Sequence, residues 1–329
     1  MPVIIYLALA CATAKADCIS LAHAHQSYQD AQPEKARAEV KCLLAKNPNS
    51  TDLYRFLSDL EKWEGRRKES LQAAKSGLAT ISPSVSAFDD NRIHLNDRLH
   101  QNKLRISGSI LTADHNDGRN YSLELDQSLL NQAHLLLGIY HISRIYSEAK
   151  VSDTHLEASY IFAGFGKTYW ENGLSYSPDA KFSAKIAGAS TPHLILPHDL
   201  DLYVGVKLSH YETEVSSSRN LFTLSPGFSL PLTNWAILSV QLNEVRSFHW
   251  VSSQQAAMTL LYAQRIALRI GAAGGYAVEG PALEGSFHNY TVDLQARLTS
   301  RLTLIPRASL YEGSVRNENA FGLSAEWRF

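Results

Sequence analysis

The chain has 329 residues, of which 45% are hydrophobic and 19% are charged, and its formal net charge is -1. This balance excludes a disordered chain of high charge and low hydrophobicity, and it also excludes collagen and coiled-coil compositions. Because acidic and basic residues are nearly equal in number, the sequence lacks the basic surface that binds a phosphate backbone, and no nucleic-acid partner is expected.

The first 16 residues are typical of a secretory signal peptide. Positions 3–14 are apolar or small, and Ala14 and Ala16 stand at the two positions that signal peptidase reads. We therefore predict export with cleavage after Ala16. No later run of about 18 apolar residues occurs, which excludes membrane-spanning helices. A closed barrel is not excluded, because its alternating strands dilute the hydropathy.

Two cysteines, Cys18 and Cys42, remain after the predicted cleavage. An even number suits an oxidising compartment, and a disulfide between them is one interpretation. The alternative is a pair of small buried residues at a helix contact. Neither cysteine has a histidine or cysteine at zinc-ligand spacing, and we expect no metal and no cofactor.

Residues 17–80 have helical periodicity, with turn signals at Gln32-Pro33 and Asn47-Pro48. If Pro48 closes a tetratricopeptide-like (TPR) repeat, Ala36 takes that repeat's small position, and Pro83 closes a second unit nearly 34 residues later. A short helical hairpin that serves as a periplasmic spacer explains the pattern equally well. The sequence therefore predicts a helical, TPR-like periplasmic segment.

Residues 81–101 are predicted to be a linker, and residues 102–329 have a period of two. In residues 202–208 the even positions are aliphatic, whereas the odd positions include Tyr203 and Lys207. Segments of this kind number about 14, with 12 as the alternative. We predict a mainly β fold, a transmembrane antiparallel up-and-down β-barrel preceded by the short helical segment.

Loop lengths and aromatic residues favour this barrel over a soluble β-sandwich, which also alternates. Short links are predicted to alternate with longer polar loops at 114–120, 148–153, 212–218 and 278–284. Aromatic residues near both strand ends are candidates for interface girdles. Those assigned to the longer loops are Tyr146, Tyr176, Tyr211, Trp250, Tyr276 and Tyr311, and those assigned to the opposite end are Tyr169, Trp170 and Trp235.

The last nine residues are apolar at every odd position and end on an aromatic ring. This pattern resembles the C-terminal signal by which the barrel-assembly machinery recognises outer-membrane proteins, so that machinery and the outer-membrane lipid are expected partners. The residues that carry the signal are Phe321, Leu323, Trp327 and Phe329.

The alternation also assigns charged side chains of both signs to the lumen. One interpretation is a network of ion pairs that fills and rigidifies the barrel. The other is a polar or gated passage whose charges select a solute. The predicted lumen-facing charges are Glu124, Asp126, Glu157, Lys185, Lys207, Arg269, Asp293, Arg297, Arg307, Glu326 and Arg328.

Three segments of the barrel carry a family likeness: residues 169–178 (YWENGLSYSP), residues 202–208 (LYVGVKL) and residues 261–265 (LYAQR). With them the chain resembles the YaiO family of outer-membrane β-barrel proteins. The resemblance implies an outer-membrane location in a Gram-negative cell, with a helical repeat before the barrel. Such an arrangement is also similar to exopolysaccharide-export porins, which implies that the repeats gather a polymer or a partner beneath a pore.

These observations predict a porin-like protein of transport or secretion for a small solute or exopolysaccharide. Its helical segment would lie in the periplasm and dock a periplasmic or envelope protein. The alternative is a closed structural or adhesion barrel that acts through its extracellular loops. A hydrolase or acyltransferase is the third interpretation, because His210, His249 and His288 lie near serines. No catalytic motif occurs, however, and we expect no enzymatic activity and no catalytic residues.

Overall fold

The computed structural model describes residues 20–82, 89–113, 116–129, 133–146, 149–164, 168–181, 183–212, 219–246, 250–262, 265–279, 283–314 and 317–329. Its β-strands form one closed antiparallel barrel of 14 strands, in which each strand pairs with its neighbours in the chain and the first pairs with the last. The predicted fold class is confirmed. The predicted signal peptide (1–16) and Cys18 lie outside the described residues.

The chain divides into two compact units, Met1–Ser84 and Val85–Phe329. The first unit contains four described helices, and the first two of the turns between them coincide with the predicted turn signals. Their bounds are α1 Leu21–Gln29, α2 Pro33–Lys46, α3 Thr51–Trp63 and α4 Arg67–Thr80. None of the helices in the described part of the chain is long and apolar enough to cross a membrane.

Apolar side chains on one face of each helix form the core of this first unit. Ala24, Val40, Phe56 and Ala73 are almost fully buried there, together with Leu53. Burial of such side chains is the main contribution to the stability of a helical unit. The guanidinium of Arg37 is also buried there and donates a 2.8 Å hydrogen bond to Glu61.

A fifth helix, α5 (Asp90–Leu99), lies inside the segment that the sequence predicts to be a linker. It begins where the Asp89 carboxylate accepts a 3.0 Å hydrogen bond from the backbone N–H of Arg92, a typical N-cap. Its residues belong to the same compact unit as the barrel. The second unit is therefore a barrel with one helix before its first strand.

The strands are long, and together they account for most of the second unit. Their bounds are β1 Lys103–Ala113, β2 Asn116–Ser128, β3 His134–Tyr146, β4 Ala149–Ala163, β5 Thr168–Tyr176, β6 Ile186–Ile195, β7 Asp201–Tyr211, β8 Arg219–Thr233, β9 Ala236–Arg246, β10 Trp250–Tyr262, β11 Ile266–Glu279, β12 Leu283–Arg297, β13 Leu302–Gly313 and β14 Asn317–Arg328. The end where β1 begins and β14 ends is named the proximal end, and the opposite end is the distal end.

The outer face of the barrel is apolar. Large hydrophobic side chains stand exposed at alternate positions, and Ile110, Leu174 and Leu208 are each at least 60% exposed. Exposed aromatic rings lie near both ends, among them Trp250 at the distal end and Trp235 at the proximal end. An apolar band between two aromatic girdles is the surface that a barrel presents to a bilayer.

Three of the predicted long loops are wrong. Strand β2 begins at Asn116, β4 begins at Ala149, and β11 and β12 extend to within a few residues of each other. Polar residues in these stretches had indicated loops. A strand that extends beyond the apolar band, which is about 25 Å tall in such barrels, needs no apolar outer face. Polar composition at a strand end therefore does not predict a loop here.

Because proline has no N–H to donate to a neighbouring strand, Pro306 predicts a bulge or a strand end, and this prediction is also wrong. Strand β13 continues through Pro306 and pairs it with Leu323 on β14, whereas the β12–β13 ladder lacks pairs at positions 305 and 306 without a change of register. Pro192 and Pro226 likewise pair with only one of their two neighbouring strands. Because proline has no N–H, each loses its pairing with one neighbouring strand and keeps the other.

Candidate functional site

One half of the inner wall is lined by ion pairs. Arg105 on β1 stands opposite Glu124 on β2 and Glu326 on β14, at N–O distances of 3.3 and 2.8 Å. Glu326 is 2% exposed, so a guanidinium group at this distance offsets the cost of burying its charge. Asp126 is paired in the same way with Lys103 at 3.6 Å and contacts His134 at 3.0 Å.

The same ladder brings other predicted charges to this wall. Glu157 on β4 lines a cavity of about 100 Å³ together with Arg105 and Glu124. On the far side of β14, Asp293 pairs with Arg307. These residues lie on neighbouring strands, so the alternation of the strands and the antiparallel register bring them together on the inner face.

The opposite half of the inner wall is rich in amides. The Tyr203 hydroxyl donates a 3.3 Å hydrogen bond to Gln241 Oε1, and Gln255 donates to the same oxygen at 2.8 Å. Gln241 in turn donates to Asn243 at 2.7 Å. Gly227 on β8 lies between Tyr203 and Gln241. A glycine is required there, because a Cβ atom at this position would lie 2.5 Å from the Tyr203 ring. Amides and hydroxyls here form a continuous hydrogen-bonded row across β7 to β10.

Helix α5 is held against the inner wall at the proximal mouth of the barrel. Asp97 accepts hydrogen bonds from Arg297, and its carboxylate is 2.7 Å from a guanidinium nitrogen of Arg328. Both arginines are predicted lumen residues and lie at the proximal ends of β12 and β14. His100, one residue after the helix, lies 3.0 Å from the guanidinium of Arg301. Three arginines of the barrel therefore hold α5 and the residue after it.

The electrostatics of this contact differ between Asp97 and His100. Partial burial alone would raise the pKa of Asp97, but the hydrogen bond from Arg297 and the charge of Arg328 outweigh it and hold that pKa below its usual range. Burial, followed by the positive charge of Arg301, lowers the pKa of His100. Asp97 is therefore ionised and His100 neutral near pH 7.

At the distal mouth, the link between β5 and β6 folds over the inner face of β4. The Asp153 carboxylate, which is 1% exposed, accepts hydrogen bonds from the backbone N–H groups of Lys181 and Ser183 at 2.9 and 2.7 Å. His155 on the same face lies 3.0 Å from the Ser177 hydroxyl. A buried carboxylate that accepts two backbone N–H groups fixes a link in place. Both mouths of the barrel are thus partly covered by chain segments.

Of three further predicted lumen charges, one is placed differently by the structure. Lys185 lies in the β5–β6 link, where it contacts Glu212 at 3.6 Å and donates to the Pro178 carbonyl. Lys207 is on the inner face of β7, and Arg269 is on the inner face of the amide-rich half. The predicted charges are therefore spread over the wall and do not form one cluster.

Three of the predicted girdle aromatics are wrong, because their side chains lie on the inner face. Tyr169 donates a 2.9 Å hydrogen bond to Asp201 and stacks on His193. Tyr211 and Tyr311 also stand at inward positions of their strands, as judged from the outward Leu208 and Leu310. A tyrosine has both an apolar ring and a hydroxyl, so its residue type alone does not distinguish lipid from lumen.

Of the histidines considered for an enzyme, the described His210 and His288 lie on separate strands, β7 and β12. His210 contacts Asn220 at 2.8 Å on the neighbouring strand, and His249 lies outside the described residues. Within the described ranges, no three histidine, cysteine, aspartate or glutamate side chains are grouped as metal ligands. Cys42 is disulfide-bonded, while Cys18 and Cys11 lie outside the described residues.

Sequence reasoning missed Asp97, Arg105, Asp153 and the amide row. The alternation around Arg105 and in residues 238–243 is sufficient to assign Arg105 and the amide side chains to the inner face, because aliphatic residues that face outward flank each of them. Asp97 has no such signal, since it lies outside the strands and its partners are about two hundred positions away in the chain.

The sequence matches no protein-family model and no curated protein. Its fold is similar to that of solved outer-membrane barrels. The CymD monoaromatic hydrocarbon channel has a TM-score of 0.53 at 10% identity, over 78% of this chain and 97% of that chain. The outer membrane protein Omp33 of Acinetobacter baumannii has a TM-score of 0.43 at 10% identity, over 69% and 98%. At these identities the likeness concerns the fold alone.

Proposed function

We propose that the protein is an outer-membrane channel for small polar solutes, with its proximal end in the periplasm. The observation that carries the proposal is a polar inner wall, half ion-paired and half amide-rich, inside an apolar outer surface. A polar lumen stabilises hydrated solutes that hydrocarbon excludes. Asp97 and its arginine partners support α5 as a constriction at the periplasmic mouth.

Two measurements on the full chain test this proposal. Membrane fractions are first compared on gels with and without boiling, because a closed barrel resists detergent until heated and then changes mobility. The refolded protein is then inserted into planar lipid bilayers, where stepwise ion currents are expected. A protein that remains in the soluble fraction, or a barrel that carries no current when α5 is released, contradicts the channel.

A closed structural or adhesion barrel is the second candidate. Ion pairs across the inner wall, together with α5 at one mouth and the β5–β6 link at the other, favour it. The same bilayer measurement separates the two candidates, because release of α5 opens a channel and leaves a filled barrel closed. We propose no enzymatic activity.

We further propose that the helical unit lies in the periplasm and docks an envelope partner. Trp63 supports this role, since its ring is 46% exposed and stacks with Tyr28 at a centroid distance of 5.0 Å. As extensions of this proposal, we propose that the chain belongs to the YaiO family, that these helices act as a TPR-like unit, and that an exopolysaccharide passes through the barrel. We expect an envelope protein to co-purify with the wild type but not with a W63A variant. Equal capture of that protein by the wild type and by W63A contradicts the proposal.

The predicted signals at the two ends of the chain belong to the same proposal. Export with cleavage after Ala16 is checked by mass spectrometry of the mature chain. Phe321, Leu323 and Trp327 are exposed on the outer face of β14, and Phe329 is 46% exposed. Loss of barrel assembly is expected when Phe329 is deleted, if the barrel-assembly machinery reads this strand. Normal assembly of that variant contradicts the assignment.

A further inference from the structure

The amide-rich half of the inner wall contains a hollow of about 240 Å³. Its floor is a register row of small residues on β8 to β11, in which Ser229 stands opposite Ser239, then Ala257, then Gly271. The row on its distal side contains larger polar groups, among them Gln241 and Gln255. Because side chains within a row stand side by side on one face, a row of small residues between larger ones leaves a recess.

Arg269 lies on the proximal side of this recess. It stands opposite Asp293 in the register, but Asp293 is paired with Arg307. Among the described residues, Arg269 forms no hydrogen bond and no ion pair. The other arginines of the lumen named above have carboxylate partners, so Arg269 is a cation whose fork of N–H donors is available to an anion.

A second polar group in the recess also lacks a partner within the described part of the chain. The Oδ1 atom of Asn289 is buried without a hydrogen bond, although it lies in the same register row as Gln255, across Ala273. A buried carbonyl oxygen without a donor costs free energy, and a ligand hydroxyl removes that cost. The hollow thus combines one available cation with one available acceptor and a row of amides.

We propose that this hollow binds a small hydroxylated carboxylate of the sugar-acid class. Arg269 binds the carboxylate in a bidentate manner, and the amides with Asn289 bind the hydroxyls. A volume of 240 Å³ corresponds to roughly eight waters of liquid volume, which is the size of one sugar unit. The assignment deepens the proposed channel function, because it names the class of solute that the lumen selects.

Binding is tested by calorimetry on the full chain refolded in detergent, with sodium D-glucuronate as the probe. D-glucose tests the need for the carboxylate, and acetate tests the need for the hydroxyls. Glucuronate is expected to bind at least about tenfold more tightly than either, the effect of one charge-assisted hydrogen bond or more. Equal binding of glucose, or no binding of glucuronate to the wild type, overturns the proposal.

Three variants separate the site from a general charge effect. R269Q removes the available cation, and A273L fills the recess without a change of charge; each is expected to lower glucuronate affinity at least about tenfold. K207Q removes a lumen charge on β7 about 13 Å along the strand from Tyr203, and its affinity is expected to stay within about twofold of the wild type. Heat-modifiable mobility shows that each variant is folded. Equal loss in K207Q, or no loss in either site variant, overturns the proposal.

Ion conductance is measured in parallel, so that failure of the site and failure of the channel are distinguishable. A barrel that conducts salt but does not bind glucuronate contradicts the hollow as a solute site and leaves the channel in place. Glucuronate binding by a barrel that carries no current, even when α5 is released, supports the site and contradicts the channel. Each outcome therefore decides one of the two proposals.

Discussion

Replacing Asp97 by asparagine keeps the size of the side chain on α5 and removes its charge. Arg297 and Arg328 then face each other at the proximal mouth without the carboxylate that holds them. Their side chains are only 7% and 16% exposed, so their charges are poorly screened by solvent. The D97N variant is therefore expected to weaken the contact between α5 and the barrel.

The magnitude follows from how deeply the three groups are buried. Removing one partner of a buried ion pair costs about 3–5 kcal/mol. Because Asp97 is 33% exposed, solvent screening reduces this to about 2 kcal/mol. A change of that size shifts the equilibrium between docked and undocked α5 by roughly 30-fold. If the undocked state is the conducting one, the open fraction rises by a similar factor while it remains small.

The assay is the open probability of single barrels in planar lipid bilayers. The matched control is D90N, which removes one negative charge from the exposed first turn of the same helix. An unchanged open probability in D97N, or an equal rise in D90N, refutes the reasoning. A double-mutant cycle of D97N with R328Q provides a second check, because two residues in direct contact are expected to show non-additive effects.

Three further predictions follow from the same contacts. Because the pKa of His100 is lowered in the docked state, docking is favoured above about pH 6.5 and disfavoured as the pH falls below it. The open probability should therefore rise between pH 7 and 5. Asp97 stays ionised over this range, because its pKa is also lowered. The H100Q variant should abolish this dependence, and a persistent dependence would assign it to another group. The E326Q variant leaves Arg105 without its 2.8 Å partner, and it is expected to lower the free energy of unfolding by about 2–4 kcal/mol. On gels the E326Q barrel should then unfold at a lower temperature than the exposed-loop control E212Q. Deleting residues 20–82 should leave heat-modifiable mobility intact, since the barrel unit has its own strands and closure; a deletion variant that fails to form a barrel contradicts two independent units.

The sequence determined the architecture because the deciding signal is local. A period of two places every second side chain in lipid, and this holds for β1 and β9 whatever their neighbours are. In an up-and-down barrel each strand pairs with the next one along the chain, so strand order also follows from chain order. The predicted charges of both signs in the lumen follow from the same alternation, whereas their partners do not.

Tertiary structure alone decided which charges meet. Arg105 and Glu326 are 221 positions apart and become neighbours only when the first and last strands close the barrel. Asp97 has no periodic signal, yet a helix beside the inner wall brings it to Arg297 and Arg328. The register places Asp293 between Arg269 and Arg307, and its ion pair with Arg307 leaves Arg269 available to a ligand. Alternation specifies the face on which a side chain stands, but closure and register specify its partner, and these depend on every strand at once.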